Sequence, residues 1–276
     1  MAETNLFKSL CAAVAGLDRC VQLLSSSFDP PVLANVSGLP MFRHRERDSA
    51  LMSFLKLVKV ASHNNAAIHL IRAGHVLEVY TLCRMIDEAC EDVIFMLHPL
   101  GENGEPSTWQ ERFLEEFWQE EFSGDDPLET HQSRDRVPRE KIRAGISRIG
   151  GKFEGRDPST EVAMSRVLAG TFSGYVHGAY PHIMELHGGN PGQFHTRGMS
   201  GTPRIRECLG NHRSYVFRSL MAAEGVASLV QRKDVLHLVL NLEIELAKQT
   251  GCLNPEGIVR MEARRARNAE ASSAST

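Results

Sequence analysis

The sequence lacks several features that would assign a function at once. Its 31 basic and 34 acidic residues leave a formal net charge of −3, so charge alone gives no case for wholesale binding to nucleic acid or to an anionic membrane. No run in the chain approaches the roughly 20 apolar residues that span a bilayer. None of the six cysteines belongs to a CxxC pair, so the spacing of a zinc ribbon is absent. A local basic patch is still compatible with this composition.

The N-terminal residues and the cysteines predict a cellular location. Glu3, Lys8 and Asp18 interrupt the apolar residues that a secretory signal would keep together. Scattered cysteines in a chain of 276 residues indicate buried free thiols in a reducing compartment. We therefore expect a cytoplasmic protein with no membrane association. The sequence contains neither a dinucleotide fingerprint nor a P-loop, and we predict no cofactor.

Helical periodicity dominates the rest of the sequence, and strand-like alternation is almost absent. With 42% hydrophobic residues, this pattern predicts an all-α fold, a single multi-helix bundle of seven or eight helices with irregular loops. We expect a helical domain over residues 1–252 and a flexible C-terminal tail over 253–276. Segment 28–42, with its prolines and glycine, is predicted to be an irregular connector. The predicted helices cover 5–26, 48–72, 75–97, 108–122, 138–150, 158–180, 203–232 and 234–249.

The third predicted helix carries an acidic edge. Asp87, Glu88, Glu91 and Asp92 offer four carboxylates over two turns, and hard cations such as Mg²⁺ prefer oxygen ligands of this kind. Helical enzymes that use such acids need a second acidic motif on a facing helix, and the sequence offers no convincing partner. The alternative is a surface ion pair between Glu88 and Arg84, one helical turn apart. We predict no metal site here.

Three glycines repeat every four residues in the sixth predicted helix, at Gly170, Gly174 and Gly178. Each glycine inside a helix costs up to about 1 kcal/mol relative to alanine, so their presence needs a reason. Because glycine has no side chain, another backbone or a ligand can approach closely. The pattern therefore predicts either a site or a close crossing of two helices.

Polar side chains accompany this glycine ladder. Arg166, Ser173 and His177 fall within about 60° of one another on a helical wheel, and they would line one shallow trough. Such a trough suits a phosphate or carboxylate anion, with His177 as a general base. Tyr175 and His182 add polar and aromatic character nearby. The alternative is that His177 is a core histidine and that the glycines only permit tight packing.

A second candidate lies at the start of the seventh predicted helix. Arg206 and His212 show the Arg-to-His spacing of HEPN-type ribonucleases, beside Arg204 and Arg213. This basic cluster suits a phosphate backbone. The number of such spacings does not exceed chance, however, and a solvated basic first turn explains the same residues.

Two segments carry a resemblance. AGHVLEVYTLCRMIDEACEDVIFM, followed later by FSGYVHG, resembles an uncharacterised family of bacterial all-helical proteins known only as a domain of unknown function. The resemblance covers about residues 50–230, and its motif positions are Arg84, Glu88, Ser173 and His177. It implies an all-α fold and a shared polar cluster of these four side chains. If the third and sixth predicted helices pack together, we expect Glu88 to orient the His177 imidazole. A more distant resemblance connects the chain to HEPN-like bundles. The family supplies no established reaction.

Two classes of function follow from these observations. The first is a non-enzymatic helical module in a bacterial regulatory or defence system, which binds a partner protein or forms a homo-oligomer. The second is a HEPN-like ribonuclease that uses His177 or His212 on RNA, or a metal-dependent phosphohydrolase. We favour the first class, because no motif in the sequence exceeds its chance rate.

Overall fold

The computed structural model describes residues 2–36, 38–120, 136–154, 158–187 and 193–273. This part of the chain is mostly helical, with ten α-helices, two single-turn 3₁₀ helices and one two-stranded sheet. The elements are α1 (Ala2–Ser25), β1 (Val32–Val36), β2 (Leu39–Arg43), α2 (Ser49–Ala73), α3 (Val76–Leu97), a 3₁₀ turn (Glu102–Gly104), α4 (Thr108–Trp118), α5 (Arg139–Glu154), α6 (Pro158–His177), α7 (Tyr180–Met184), a 3₁₀ turn (Glu185–His187), α8 (Pro203–Leu229), α9 (Lys233–Thr250) and α10 (Pro255–Ser273).

Five long helices form the main core. Helices α2, α3 and α8 pack against one another, and α1 and α9 close the other side of α8. The apolar stripe of α1 shows how the sequence builds this core: Leu10, Val14, Leu17 and Leu24, at helical spacing, are all buried. Helices α5 and α6 then cover α3, and α10 packs against α9.

Local signals fix several helix ends as the sequence predicts. The Asp48 side chain accepts a hydrogen bond from the Leu51 N–H at 2.8 Å, and so caps α2. Gly74 ends α2 in the left-handed region, at φ 86°. Ser107 and Gln110 form a reciprocal capping box at the start of α4.

The prediction of an irregular connector over 28–42 is wrong. Residues Val32–Val36 pair antiparallel with Leu39–Arg43 and form a hairpin, with Val36 opposite Leu39 and Val32 opposite Arg43. The prolines led to the prediction of a connector, because a proline in a short apolar run argues against a central strand. A two-stranded hairpin has only edge strands, and proline is tolerated there.

The structure also contains more helices than the seven or eight expected. One addition is α7, which begins near Pro181 after α6 has ended, with Gly178 at φ 62°. The other is α10, which occupies most of the segment 253–276 that the sequence predicts to be a flexible tail. Lys248 of α9 pairs with Glu262 at 2.6 Å, which attaches the arginine-rich α10 to the bundle. The basic run is thus part of a helix that contacts α9.

Most of the cysteines are buried free thiols, as the sequence predicts. All six cysteines are free, and Cys20, Cys83, Cys90 and Cys208 are buried. Burial raises the pKa of the Cys90 thiol to about 12, so this thiol stays protonated at neutral pH. No helix in the described ranges is long and apolar enough to cross a lipid bilayer.

Candidate functional site

The contact between α3 and α6 contains the first predicted pair. The Arg84 Nε donates a hydrogen bond to the Glu88 carboxylate at 2.9 Å, as the one-turn spacing predicts. The same guanidinium donates to the backbone carbonyl of Ala169 in α6. Arg84 therefore joins α3 to α6 in addition to forming an ion pair. Glu88 fixes the orientation of the Arg84 guanidinium.

The other two members of the predicted cluster do not join this pair. His177 is exposed at the last turn of α6, and no hydrogen bond or ion pair connects it to Glu88 in the described part of the chain. Ser173 is half-buried on the same helix. Arg166 is largely exposed, and its guanidinium lies 3.7 Å from the exposed Glu140 carboxylate of α5. The hydrogen bond expected between Glu88 and His177 is therefore absent from this structure.

The three glycines of the ladder occupy three different environments. A Cβ added at Gly170 would meet nothing within 4 Å, so none of the described helices crosses there. A Cβ added at Gly174 would overlap the imidazole of His182. Gly178 has φ 62° and ends α6. The hypothesis that this ladder brings two helices unusually close is wrong, and only Gly174 permits a close approach.

Gly174 instead supports a polar and aromatic cluster at the α6–α7 corner. The Tyr175 and His182 rings lie 4.0 Å apart between centroids, and the Tyr175 hydroxyl donates to the Glu185 carboxylate at 3.0 Å. The His182 Nδ1 lies 3.5 Å from a Glu185 oxygen, and the Arg204 guanidinium lies 3.7 Å from the other. Burial, and then the negative charge of Glu185, raises the pKa of the Tyr175 hydroxyl, so it remains a donor.

This cluster unites two predicted binding residues, Tyr175 and His182, with Arg204 and Glu185. Arg204 belongs to the predicted basic cluster, and Glu185 lies three residues after His182. A shallow cavity of about 440 Å³ adjoins them, with Glu185, Arg204 and Glu207 in its lining. Arg204 already pairs with Glu207 at 3.0 Å, so its guanidinium is not available as an unneutralised phosphate ligand.

The predicted pair of Arg206 and His212 is separated by burial. Arg206 projects into solvent, with its side chain 80% exposed and 3.8 Å from Glu3. His212 is completely buried, and its Nδ1 lies 3.8 Å from the Cys83 Sγ. Burial lowers the pKa of His212 to about 4, so the imidazole is neutral at pH 7. The prediction of His212 as a binding residue is therefore wrong, because the apolar face of α8 carries it into the core.

The acidic edge of α3 is largely buried and paired with bases from other helices. Arg143 of α5 lies 3.1 Å from Glu91, and Arg139 bridges Glu91 and Asp92. Two further ion pairs join α3 to its neighbours. These pairs are Lys56 with Asp92 at 2.7 Å and Arg218 with Asp87 at 3.2 Å. The carboxylates therefore hold α5, α2 and α8 against α3.

Metal-ligand geometry is not found at this edge. No group of three or more His, Cys, Asp or Glu residues within the described ranges is arranged to hold a metal ion. The bases that occupy the carboxylates come from three helices distant in sequence, which is why the sequence alone did not reveal them.

The hairpin is a surface feature that the sequence analysis missed. Leu33 and Phe42 are directly opposite each other across the two strands, and their side chains are 63% and 69% exposed. Leu39 adds a further exposed apolar side chain. At the base of the hairpin, Arg43 donates two hydrogen bonds to Glu120, at 2.6 and 2.7 Å. We call Val32–Val36 and Leu39–Arg43 together the hairpin surface.

No family model, curated protein or solved structure matches this chain. The resemblance to the bacterial helical family, and the more distant one to HEPN-like bundles, therefore stays a prediction.

Proposed function

We propose that this chain is a non-catalytic helical module that assembles with itself through the hairpin surface. The observation that carries the proposal is the exposure of Leu33 and Phe42, paired across a sheet of only two strands. An isolated two-stranded hairpin is marginally stable in water and leaves unpaired backbone groups at its edges. Exposed apolar side chains grouped on such an element are typical of an interaction surface.

The charge of the hairpin surface favours contact between two copies. Arg43 is the one charged residue in the two strands, and Glu120 neutralises it. The hydrogen bonds from Arg43 lower the pKa of the Glu120 carboxyl, so the pair stays ionised at neutral pH. Two such surfaces can meet without like-charge repulsion, whereas a surface for RNA or an anionic membrane would carry unpaired cations.

The positions of the candidate catalytic residues also favour a module without enzymatic activity. Of the two candidate bases of a ribonuclease, His212 lies in the core, and the exposed His177 has no hydrogen bond or ion pair to Glu88 within the described ranges. A metal-dependent phosphohydrolase would need free carboxylates, and Glu91 and Asp92 are occupied by Arg139 and its neighbours. The placement of the module in a bacterial regulatory or defence system is part of the proposal, and only its bacterial context follows from the resemblance.

Multi-angle light scattering on a size-exclusion column tests the proposal. We expect the wild-type chain to show a dimer mass at about 100 µM, and the double variant Leu33→Lys/Phe42→Lys to elute as a monomer, because four lysines would give the two hairpin surfaces like charges that repel each other. The matched control is Val167→Lys/Val259→Lys, which places the same charges at apolar residues that are 68% and 61% exposed elsewhere. A wild-type chain that is monomeric throughout, or a control that dissociates equally, would overturn the proposal.

A further inference from the structure

We infer that strand β1 pairs antiparallel with β1 of a second copy, with Ala34 on the two-fold axis. This inference rests on the proposed self-assembly and specifies its geometry. It depends on which backbone groups of the hairpin point outward, and that direction follows from the register.

Pro40 determines which residues of the hairpin face outward. It lies opposite Asn35, and since proline has no N–H, these two residues cannot exchange a pair of ladder hydrogen bonds. Hydrogen-bonded and non-hydrogen-bonded pairs alternate in an antiparallel ladder. Leu33 and Phe42, two residues further along, are therefore also a non-hydrogen-bonded pair. The backbone groups of these four residues point away from the partner strand.

The two outer edges of the hairpin are consequently unequal. On β1, the N–H and C=O groups of Leu33 and Asn35 point outward, and no backbone hydrogen bond of a turn or loop in the described ranges uses them. On β2, Pro40 removes one of the two outward donors and leaves only that of Phe42. Edge proline is a common device that prevents strand addition. The edge of β1 carries no proline, no charged side chain and no bulge, so β1 is open to pairing and β2 is blocked.

A second β1 strand complements the open edge. When two copies run antiparallel with full overlap, Leu33 of each faces Asn35 of the other, and both exchange two hydrogen bonds. Ala34 then faces its own counterpart at the centre, where its small side chain permits the closer spacing of a non-hydrogen-bonded pair. In the resulting four-stranded sheet, Leu33 and Phe42 of both copies lie on the same face.

The inequality of the edges also limits the assembly. Since β2 is blocked, the pairing of two β1 strands uses the open edge of each copy and leaves none for a third. The interface is isologous, and the assembly closes as a dimer. A strand from an unrelated protein could occupy the same edge, but it would need its own unpaired edge of equal length. A second copy of this chain meets this requirement, because its own β1 is an unpaired edge of the same length, and it is present wherever the chain is.

Disulfide cross-linking tests the register. In a background where the partly exposed Cys11 and Cys252 are replaced by Ser, we expect Ala34→Cys to form a linked dimer on mild oxidation. The two Cα atoms would lie about 4.5 Å apart, within the range that a disulfide spans. The matched control is Val36→Cys, whose counterpart would be about 13 Å away along the strands. Equal cross-linking at both positions would overturn the register.

Proline substitutions test the open and blocked edges. We expect Asn35→Pro to weaken the dimer roughly tenfold or more in Kd, because each dimer loses two outward N–H donors while the hairpin ladder is untouched. Pro40→Ala restores a donor to β2, and we expect assemblies larger than the dimer. If the chain is dimeric and Asn35→Pro has no effect, the pairing of β1 strands is wrong while self-assembly stands. If the wild-type chain is monomeric, both are wrong.

Discussion

Two buried ionisable groups predict an unusual dependence of stability on pH. Glu243 is 1% exposed, its Oε1 has no hydrogen-bond partner in the described part of the chain, and burial raises its pKa to about 8. His212 is fully buried, and burial lowers its pKa to about 4. The ordinary values of these groups are 4.5 and 6.5. Each group therefore prefers its neutral form in the folded state.

The two groups act in opposite directions along the pH scale. The folded state holds the Glu243 proton more tightly than the unfolded chain. The contribution of Glu243 to the free energy of unfolding is therefore complete below pH 4.5 and is lost as the pH rises to about 8. The folded state resists protonation of His212, so its contribution is complete above pH 6.5 and is lost as pH falls to about 4. Between pH 4.5 and pH 6.5, the stability that Glu243 loses as the pH rises is offset by the stability that His212 gains. Stability should be level there and then fall by about 2 kcal/mol between pH 6.5 and 8, from Glu243 alone.

The variant Glu243→Gln isolates the larger of the two effects. The difference in unfolding free energy between variant and wild type should change by about 4 kcal/mol from pH 5 to pH 8, in favour of the variant. Urea denaturation followed by circular dichroism at several pH values measures this difference. Glu245→Gln, which removes an exposed carboxylate two residues away, is the matched control. A Glu243→Gln difference that does not vary with pH would refute the reasoning.

Three further substitutions test packing and charge. Gly174→Ala should destabilise the fold by roughly 1–3 kcal/mol, because the added methyl group overlaps the His182 ring, whereas Gly170→Ala should be neutral or stabilising because its surroundings are open. Glu91→Gln should cost about 3 kcal/mol or more, because it leaves the Arg143 guanidinium buried beside an uncharged group. Urea denaturation measures all three changes.

The controls for these substitutions use the same chain. Equal effects at the two glycines would contradict the different environments assigned to them. Glu3→Gln removes one partner of an exposed ion pair with Arg206, and should cost less than about 0.5 kcal/mol. If Glu91→Gln were as mild as Glu3→Gln, the charges along α3 would not hold α5 in place.

The helices were predictable because their signal is local. The period of Leu10, Val14, Leu17 and Leu24 in α1 is visible in the sequence, and the same holds for the caps at Asp48 and Ser107. Position 212 could also have been predicted as buried. It shares one helical face with Cys208, Tyr215 and Val216, which are all buried. The histidine at this position favoured the prediction of a functional residue, although its helical spacing indicates burial.

Features that depend on distant residues were not predictable. The bases that neutralise Glu91 and Asp92 lie about 50 residues later or on α2, and no local pattern connects them to α3. The close approach at Gly174 depends on a ring that belongs to the next helix, beyond a turn. The hairpin was missed because its strands are only five residues long and one contains proline.

Hydrogen–deuterium exchange at several protein concentrations tests self-assembly through the hairpin most directly. We predict that the amides of Leu33 and Asn35 become more protected as the concentration rises, while the outward amide of Phe42 exchanges at the same rate throughout. Exchange at Leu33 and Asn35 that is independent of concentration would contradict the account, since these donors would then be bound by no second copy.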